Sequence, residues 1–307
     1  MKKILTIIFD GFGMRDEEKG NAVKAAKMNN FNELWKSYPH ALLDASGPAV
    51  GLNEGQPGNS EVGHMTIGAG RILKQPEILV NEFLQNPDME SKNIQKLLTL
   101  KDKDIHIMGL CSDGNIHAGV DDFLGIYKFL VENGFTKIHF HVITDGRDTD
   151  IHAAYKYISM IKNLIAENNG IGNIATVCGR YYAMDRDENF DRTKIYYDLV
   201  VNGKGLNSSD VEKSINNSYE AGVTDEFIKP IKLSNDMIKN GDVLIWMNYR
   251  ADRAKQILNS IVNSQTFDAF NVKDLSEVTV FSFLSVDKKI KTLNFIEQPE
   301  VTHPLGI

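Results

Sequence analysis

Ile138-His139-Phe140-His141-Val142-Ile143-Thr144-Asp145-Gly146-Arg147-Asp148 is a short, β-branched, apolar run that ends in a polar turn. The segment after it, residues 151–168, has helical periodicity. Strand, turn and helix in that order are one βα unit of a parallel sheet. The same grammar recurs along the chain. Strands are predicted over residues 5–9, 105–111, 138–144, 174–178, 243–247 and 278–284, and helices over 22–37, 121–133, 151–168, 193–201, 209–218 and 250–261. No repeat or low-complexity tract interrupts them, so the predicted class is α/β.

The turns at the strand ends carry the chemistry. Asp10-Gly11-Phe12-Gly13 comes after the first strand, Ser112-Asp113-Gly114-Asn115-Ile116-His117 after the second and Asp145-Gly146-Arg147-Asp148 after the third. Gly179-Arg180-Tyr181-Tyr182-Ala183-Met184-Asp185-Arg186-Asp187 and Asn248-Tyr249-Arg250-Ala251-Asp252-Arg253 come after the next two. Open parallel sheets bind ligands beyond the carboxyl ends of their strands, so these residues should converge there. Glycines in the turns permit tight backbone geometry, though each alone is an ordinary turn residue.

Composition narrows the ligand. The formal charge is -7 and the pI is near 5.7, which disfavours a nucleic-acid binder because such proteins present a basic face. Of 34 basic side chains only eight are Arg, leaving 26 Lys, yet six of those Arg fall in three short segments. A guanidinium offers a planar fork that grips carboxylate or phosphate through two parallel bonds. Clustered Arg in a Lys-rich chain therefore suggests an anionic ligand, although structural pairing with nearby Asp would use the same residues. Two cysteines, Cys111 and Cys178, in 307 residues argue against a disulfide scaffold. No apolar stretch is long enough to span a bilayer, and the apolar run at residues 4–9 is too short for a signal peptide. The expectation is a cytoplasmic protein without nucleic-acid or membrane partners.

Pro57-Gly58-Asn59-Ser60-Glu61-Val62-Gly63-His64 reads as a turn entering a helix, with Ser60 at or near the N-cap. A serine there serves as a cap or as a nucleophile whose phosphoester would lie against free backbone N–H groups; position alone favours the cap. Asp10, at the end of a strand, suits a metal ligand or a structural acceptor.

These six motifs, in this order and approximate spacing, resemble the cofactor-independent (2,3-bisphosphoglycerate-independent) phosphoglycerate mutases of the alkaline phosphatase superfamily. The resemblance runs from the first predicted strand almost to the C-terminus. It implies interconversion of 3-phosphoglycerate and 2-phosphoglycerate through a phosphoserine, two divalent cations, Mn2+ above all, and no 2,3-bisphosphoglycerate. It also implies a phosphatase-like domain into which a parallel-sheet substrate-binding (transferase) domain is inserted, and a monomer. Carried over, Ser60 is the nucleophile, Asp10 and Ser60 belong to a metal site, and Asp148 is the base that moves a proton to or from the glycerate hydroxyls. His117, Arg147, Asp148, Arg180, Arg186, Arg250 and Arg253 then bind the phosphoglycerate.

The division this implies is residues 1–74 for the N-terminal part of an incomplete alkaline-phosphatase-like α/β domain, 75–298 for the inserted domain and 299–307 for the start of the return linker. The family's later Asp and His metal ligands and a phosphoryl-binding lysine have no counterpart in the sequence, so the chain alone is expected to be inactive. His64, His139, His141 and His152 match no family ligand. A local departure is Asn115-Ile116-His117-Ala118-Gly119, where the family more often has Gly before the hydrophobe and Ser-His after the first His. The competing expectations are a non-catalytic phosphoglycerate-binding fragment and another phosphomutase or phosphatase of the superfamily, which would share Asp10 and a nucleophile without needing the Arg clusters.

Overall fold

The computed structural model describes residues 5–297 and 304–305. The expected return segment, 299–307, lies outside the described residues except at Pro304 and Leu305. The chain divides into two compact units, Met1–Ile78 with Glu300–Ile307, and Leu79–Pro299.

The first unit is helical where it is regular: α1 Ala22–Ala25, α2 Asn29–Ser37, a 3-10 turn Gly47–Val50 and α3 Ser60–Ala69. The helix expected over 22–37 is broken in two because Ala26 turns extended as the C-cap of α1. The expected strand at 5–9 does not form, and Leu5, Ile7, Ile8 and Phe9 are exposed. A β-branched run becomes a strand only when another strand takes its N–H and C=O groups, and no described residue pairs with this one. Phe9, Phe12, Phe31, Trp35 and His40 instead form a row of adjacent rings.

The second unit is built as the strand-turn-helix grammar requires. After α4 Pro76–Gln85, which starts at the unit boundary, and α5 Lys92–Leu98 come β1 Ile105–Leu110, α6 Val120–Glu132, β2 Ile138–Thr144, α7 Ala154–Glu167 and β3 Asn173–Gly179. The short α8 Arg180–Ala183, α9 Phe190–Asn202, β4 Leu206–Asn207, α10 Val211–Glu220 and β5 Ile231–Lys232 lead to β6 Val243–Trp246, α11 Lys255–Val262, β7 Thr279–Ser282 and β8 Leu293–Asn294. The last predicted helix begins at Lys255 rather than Arg250, which leaves residues 250–254 as irregular backbone at the end of β6.

The described strands form one sheet in the order β4-β5-β3-β2-β1-β6-β7-β8. It is parallel except where β5 runs antiparallel to β3. Both faces are covered. Ile105, Ile107, Phe140 and Val142 face α6 and α7, while Met108, Leu110, Leu244 and Trp246 face α9 and α11. Because the chain moves from β1 toward β2 and β3 but from β6 toward β7, the order reverses between β1 and β6. In open parallel sheets it is beside such a switch point, at the carboxyl ends of the strands, that ligands bind.

At the other end of β1 and β2 a chain of buried polar groups crosses the sheet. Asp242 Oδ2 lies 3.1 Å from His106 Nε2, His106 Nδ1 lies 2.9 Å from His141 Nε2, and His141 Nδ1 lies 2.8 Å from Thr176 Oγ1. One assignment satisfies all three contacts: Thr176 donates to His141, neutral His141 donates to His106, and neutral His106 donates to Asp242. Burial lowers the pKa of His106, and it lowers that of His141 well below the ordinary 6.5. Folding therefore holds both rings neutral. The unfolded chain takes up protons below 6.5 while the folded chain does not, so this contribution is full above that pH and is lost as pH falls through it toward the folded values. Urea midpoints should drop between pH 7.5 and 5.5, by at most about 1.4 kcal/mol per pH unit for each histidine. His141→Gln should flatten that dependence whatever its overall stability, and an unchanged slope would remove the histidine chain as its source.

Candidate functional site

Asp145 is the first side chain beyond β2 and is almost fully buried, with its side chain 1% exposed. Its Oδ1 accepts from the Arg180 guanidinium at 2.6 Å and from the backbone N–H groups of Arg147 and Asp148, both at 3.1 Å. Its Oδ2 accepts from the Ser112 hydroxyl at 2.7 Å. One carboxylate thus joins the turns after β1, β2 and β3. Burial pushes its pKa up, but Ser112, the Asp148 N–H and Arg180 outweigh burial and hold the carboxyl below its ordinary range.

Arg180 is equally buried and is shared between Asp145 and Asp148, each 2.6 Å from Nη1. Two glycines make this close packing possible. A Cβ on Gly179 would meet the Glu226 carbonyl oxygen at 2.3 Å, and Gly146, at φ +66°, would meet Asp225 and Glu226 at 2.8 Å. Both turns therefore depend on Gly for space, and the second also for its left-handed backbone.

The loop after β6 completes the crevice. Asn248 Oδ1 accepts from Leu110 N at 2.8 Å, and Tyr249 N donates to the His117 carbonyl at 2.8 Å, so the β1 and β6 loops are tied at the switch point. Asp252 receives Arg186 at 2.8 Å and Arg250 at 3.6 Å on Oδ2, and its Oδ1 lies 3.7 Å from His117 Nδ1. Arg253 donates to the Met184 carbonyl at 2.9 Å. Its pKa is lowered by burial and by the neighbouring charges of Arg180, Arg186 and Arg147. The His117 pKa is lowered to about 4, first by burial and then by Arg180 and Arg250, which outweigh Asp252 and Asp148. At neutral pH the ring is uncharged.

The structure therefore brings His117, Arg147, Asp148, Arg180, Arg186, Arg250 and Arg253 to one set of loops. Arg147, Arg186 and Arg250 are about half exposed, with relative accessibilities of 52%, 47% and 48%. Residues that sequence reasoning left without a role are Asp145, Asp252, Asp185 and Glu226. Asp185 accepts from Arg192, Asn189 and Gln256, and Glu226 lies 3.8 Å from Arg147. Asp145, Asp185 and Asp252 stand inside the quoted motifs, so the signal was adjacency to the arginines they hold.

In the first unit Asn59, not Ser60, is the N-cap of α3, accepting from Val62 N, and Ser60 is the first helical residue. The Ser60 hydroxyl donates to Asp10 Oδ2 at 2.8 Å. His64 Nδ1 lies 2.8 Å from the Ser60 carbonyl and 3.3 Å from Ser60 Oγ. Asp10 and Ser60 are two hard oxygen donors side by side, but among the described residues no group of three or more His, Cys, Asp and Glu could hold a metal ion. They do not make a complete divalent-cation site. Cys111 and Cys178 are free and buried, and burial pushes both thiols far up in pKa, so neither is a ready nucleophile. Among the described residues no helix is long and apolar enough to cross a membrane.

A doubly covered, mostly parallel sheet with guanidinium and carboxylate side chains gathered on the loops at its switch point defines an α/β protein. Residues 75–288 match the family described as the BPG-independent PGAM N-terminus, and the chain belongs to that family. The 2,3-bisphosphoglycerate-independent phosphoglycerate mutase of Prochlorococcus marinus subsp. pastoris is 41% identical over 293 residues, covering 94% of this chain and 54% of the relative. The enzyme of the same name from Clostridioides difficile is 40% identical over 286 residues, covering 91% and 56%. The crystal structure of Leishmania mexicana phosphoglycerate mutase at low cobalt concentration is similar with a TM-score of 0.75 and 25% identity, over 97% of this chain and 58% of that one. The chain spans about half the length of the curated relatives it matches.

Asp145→Ala should cost about 3 kcal/mol of unfolding free energy, the scale of breaking a buried charge pair from one side. Urea denaturation at pH 7 checks this. A loss below about 0.5 kcal/mol, the range of an ordinary surface substitution, would show that Asp145 does not organise the three turns.

Proposed function

We propose that this chain contributes the nucleophile and the substrate-binding domain of a phosphoglycerate mutase that interconverts 3-phosphoglycerate and 2-phosphoglycerate. The observation that supports it most is the convergence of Arg147, Arg180, Arg186, Arg250 and Arg253 on one crevice in a member of this family. A substrate with one phosphate and one carboxylate calls for several forked cations, because phosphoryl transfer is chiefly a matter of positioning and charge neutralisation. Another phosphatase of the superfamily would have no use for that convergence. On this reading residues 75–298 form the inserted domain, and residues 1–74 with 299–307 belong to the phosphatase-like domain.

Chemistry assigns the roles. Ser60 Oγ attacks phosphorus, forming a phosphoserine as the bond from phosphorus to the glycerate oxygen breaks. The departing serine proton lies on the hydrogen bond to Asp10. The Asp148 carboxylate takes the proton of the other glycerate hydroxyl and delivers it to the departing glycerate oxygen; the deprotonated hydroxyl oxygen then attacks the phosphoserine, and the bond from phosphorus to Ser60 Oγ breaks as Ser60 takes its proton back from Asp10. Asp148 suits this task because one of its oxygens is anchored on Arg180 at 2.6 Å, which fixes its orientation. His117 and the half-exposed arginines grip the glycerate. The family's two divalent cations, manganese in our proposal, would find only part of their coordination in Asp10 and Ser60.

Arg250→Lys should weaken 3-phosphoglycerate binding by about 1.5 to 3 kcal/mol although it keeps the charge, since an ammonium cannot reproduce a two-pronged fork. Calorimetry decides, and equal affinities would take Arg250 out of the site. A second expectation concerns turnover. With manganese and 3-phosphoglycerate supplied, residues 1–307 should bind ligand but form no 2-phosphoglycerate in a coupled enolase assay, because two protein ligands hold a divalent cation too weakly to organise in-line transfer. Turnover that vanishes in Ser60→Ala would refute this part of the reading.

A further inference from the structure

Two buried polar atoms at the switch point lack hydrogen-bond partners, and they face each other. His117 is 4% exposed, and its Nδ1 is unpaired; so is Asp252 Oδ1, 3.7 Å away. A buried polar atom without a partner is costly, and two that face each other call for an explanation. The gap is too long for a hydrogen bond, but a carboxylate oxygen at 3.7 Å still attracts a ring N–H and repels a ring lone pair. The other oxygen of the same carboxylate already holds Arg186 at 2.8 Å and stands 3.6 Å from Arg250. Three of the proposed ligand contacts therefore converge on one side chain.

We infer that Asp252 is a positioning residue of the phosphoglycerate site: it fixes His117 in the Nδ1–H tautomer and holds Arg186 and Arg250 in register before ligand arrives. A carboxylate has no proton to give at neutral pH, so the nitrogen facing Oδ1 carries the hydrogen. Nε2 is then left with a lone pair, and His117 meets a ligand as an acceptor for a hydroxyl proton, not as a donor to an anion. That assigns the ring to a glycerate hydroxyl and leaves phosphate and carboxylate to the arginines. The inference rests on the proposed phosphoglycerate site for the identity of the ligand, but the tautomer belongs to the free protein.

Asparagine at 252 separates a structural role from this one. Its amide has a single acceptor oxygen, which Arg186 would claim through a charge-assisted bond, turning the NH2 group toward His117. Nδ1 would then have to accept, and the ring would change to the Nε2–H tautomer. Long-range 1H–15N spectra of histidine-labelled protein at pH 7, with His117→Asn identifying the signal, read this directly. The expected result is an Nδ1–H pattern in the parent and in Asp252→Glu, and an Nε2–H pattern in Asp252→Asn. An Nε2–H pattern in the parent, or a spectrum unmoved by Asp252→Asn, overturns the inference without a ligand being involved. Calorimetry with 3-phosphoglycerate is the second arm: Asp252→Asn should bind at least tenfold more weakly, with Asp252→Glu recovering much of the loss, and equal affinities would refute the positioning role. Absence of binding to the parent protein would defeat the proposed substrate, while the tautomer would still decide what Asp252 does.

Discussion

The buried pair between Asp145 and Arg180 is the constraint on which the rest of the crevice depends. Removing two charges from water costs several kcal/mol, and their attraction repays it only when every remaining donor and lone pair is used. Asp145 meets that condition with one guanidinium, two backbone N–H groups and the Ser112 hydroxyl. These contacts come from three loops that no sheet hydrogen bond joins at this point. The carboxylate thus does for the loops what the ladder does for the strands: it fixes their spacing, and Arg180 and Asp148 are placed as a result.

The parallel sheet supplies the reason the pair can be buried at all. With helices on both faces, the strand ends are shielded, and β1 and β6 send their chains in opposite directions. Asn248 and Tyr249 seal that seam through backbone contacts to Leu110 and His117, so the loops that diverge from the switch point remain tied. The arginine and carboxylate side chains of the loops then project from a frame whose core residues, such as Phe123, Phe140, Tyr196 and Trp246, are fully enclosed.

The sheet was legible in the sequence because its signal is local. Residues 138–144 read as a strand and form one over Ile138–Thr144, and the strands expected at 105–111, 174–178, 243–247 and 278–284 differ from the observed ones only at their ends. Residues 5–9 carry the same β-branched signal without forming a strand, because pairing is non-local and no described strand takes their hydrogen bonds. The short β4 and β5 were not readable, since two residues give no period and their place is set by the neighbour they pair with. For the site, arginines stood out against a lysine-rich background, whereas Asp is common in turns and carries no such contrast. What distinguishes Asp145 and Asp252 is which distant guanidinium each one meets: Arg180 lies 35 residues and Arg186 66 residues away in the chain.

That division of carboxylates offsets part of the positive charge that the guanidinium groups bring to these loops. The pKa of Arg253 is lowered first by burial and then by the neighbouring charges of Arg180, Arg186 and Arg147. Asp145 and Asp148 flank Arg180 in a buried, well-satisfied arrangement. Asp252 and Glu226 hold Arg186, Arg250 and Arg147 differently, through contacts of 2.8 to 3.8 Å to side chains about half exposed to water. Exposed pairs of this kind are worth roughly 0 to 1 kcal/mol, while a charge-assisted bond to an enclosed anion is worth about 1.5 to 3 kcal/mol. If the loops hold an anion, as proposed, exchange favours the ligand at the rim and the protein at the base. On that proposal Arg180 stays fixed and orients Asp148, while Arg147, Arg186 and Arg250 are held by partners weak enough to be replaced.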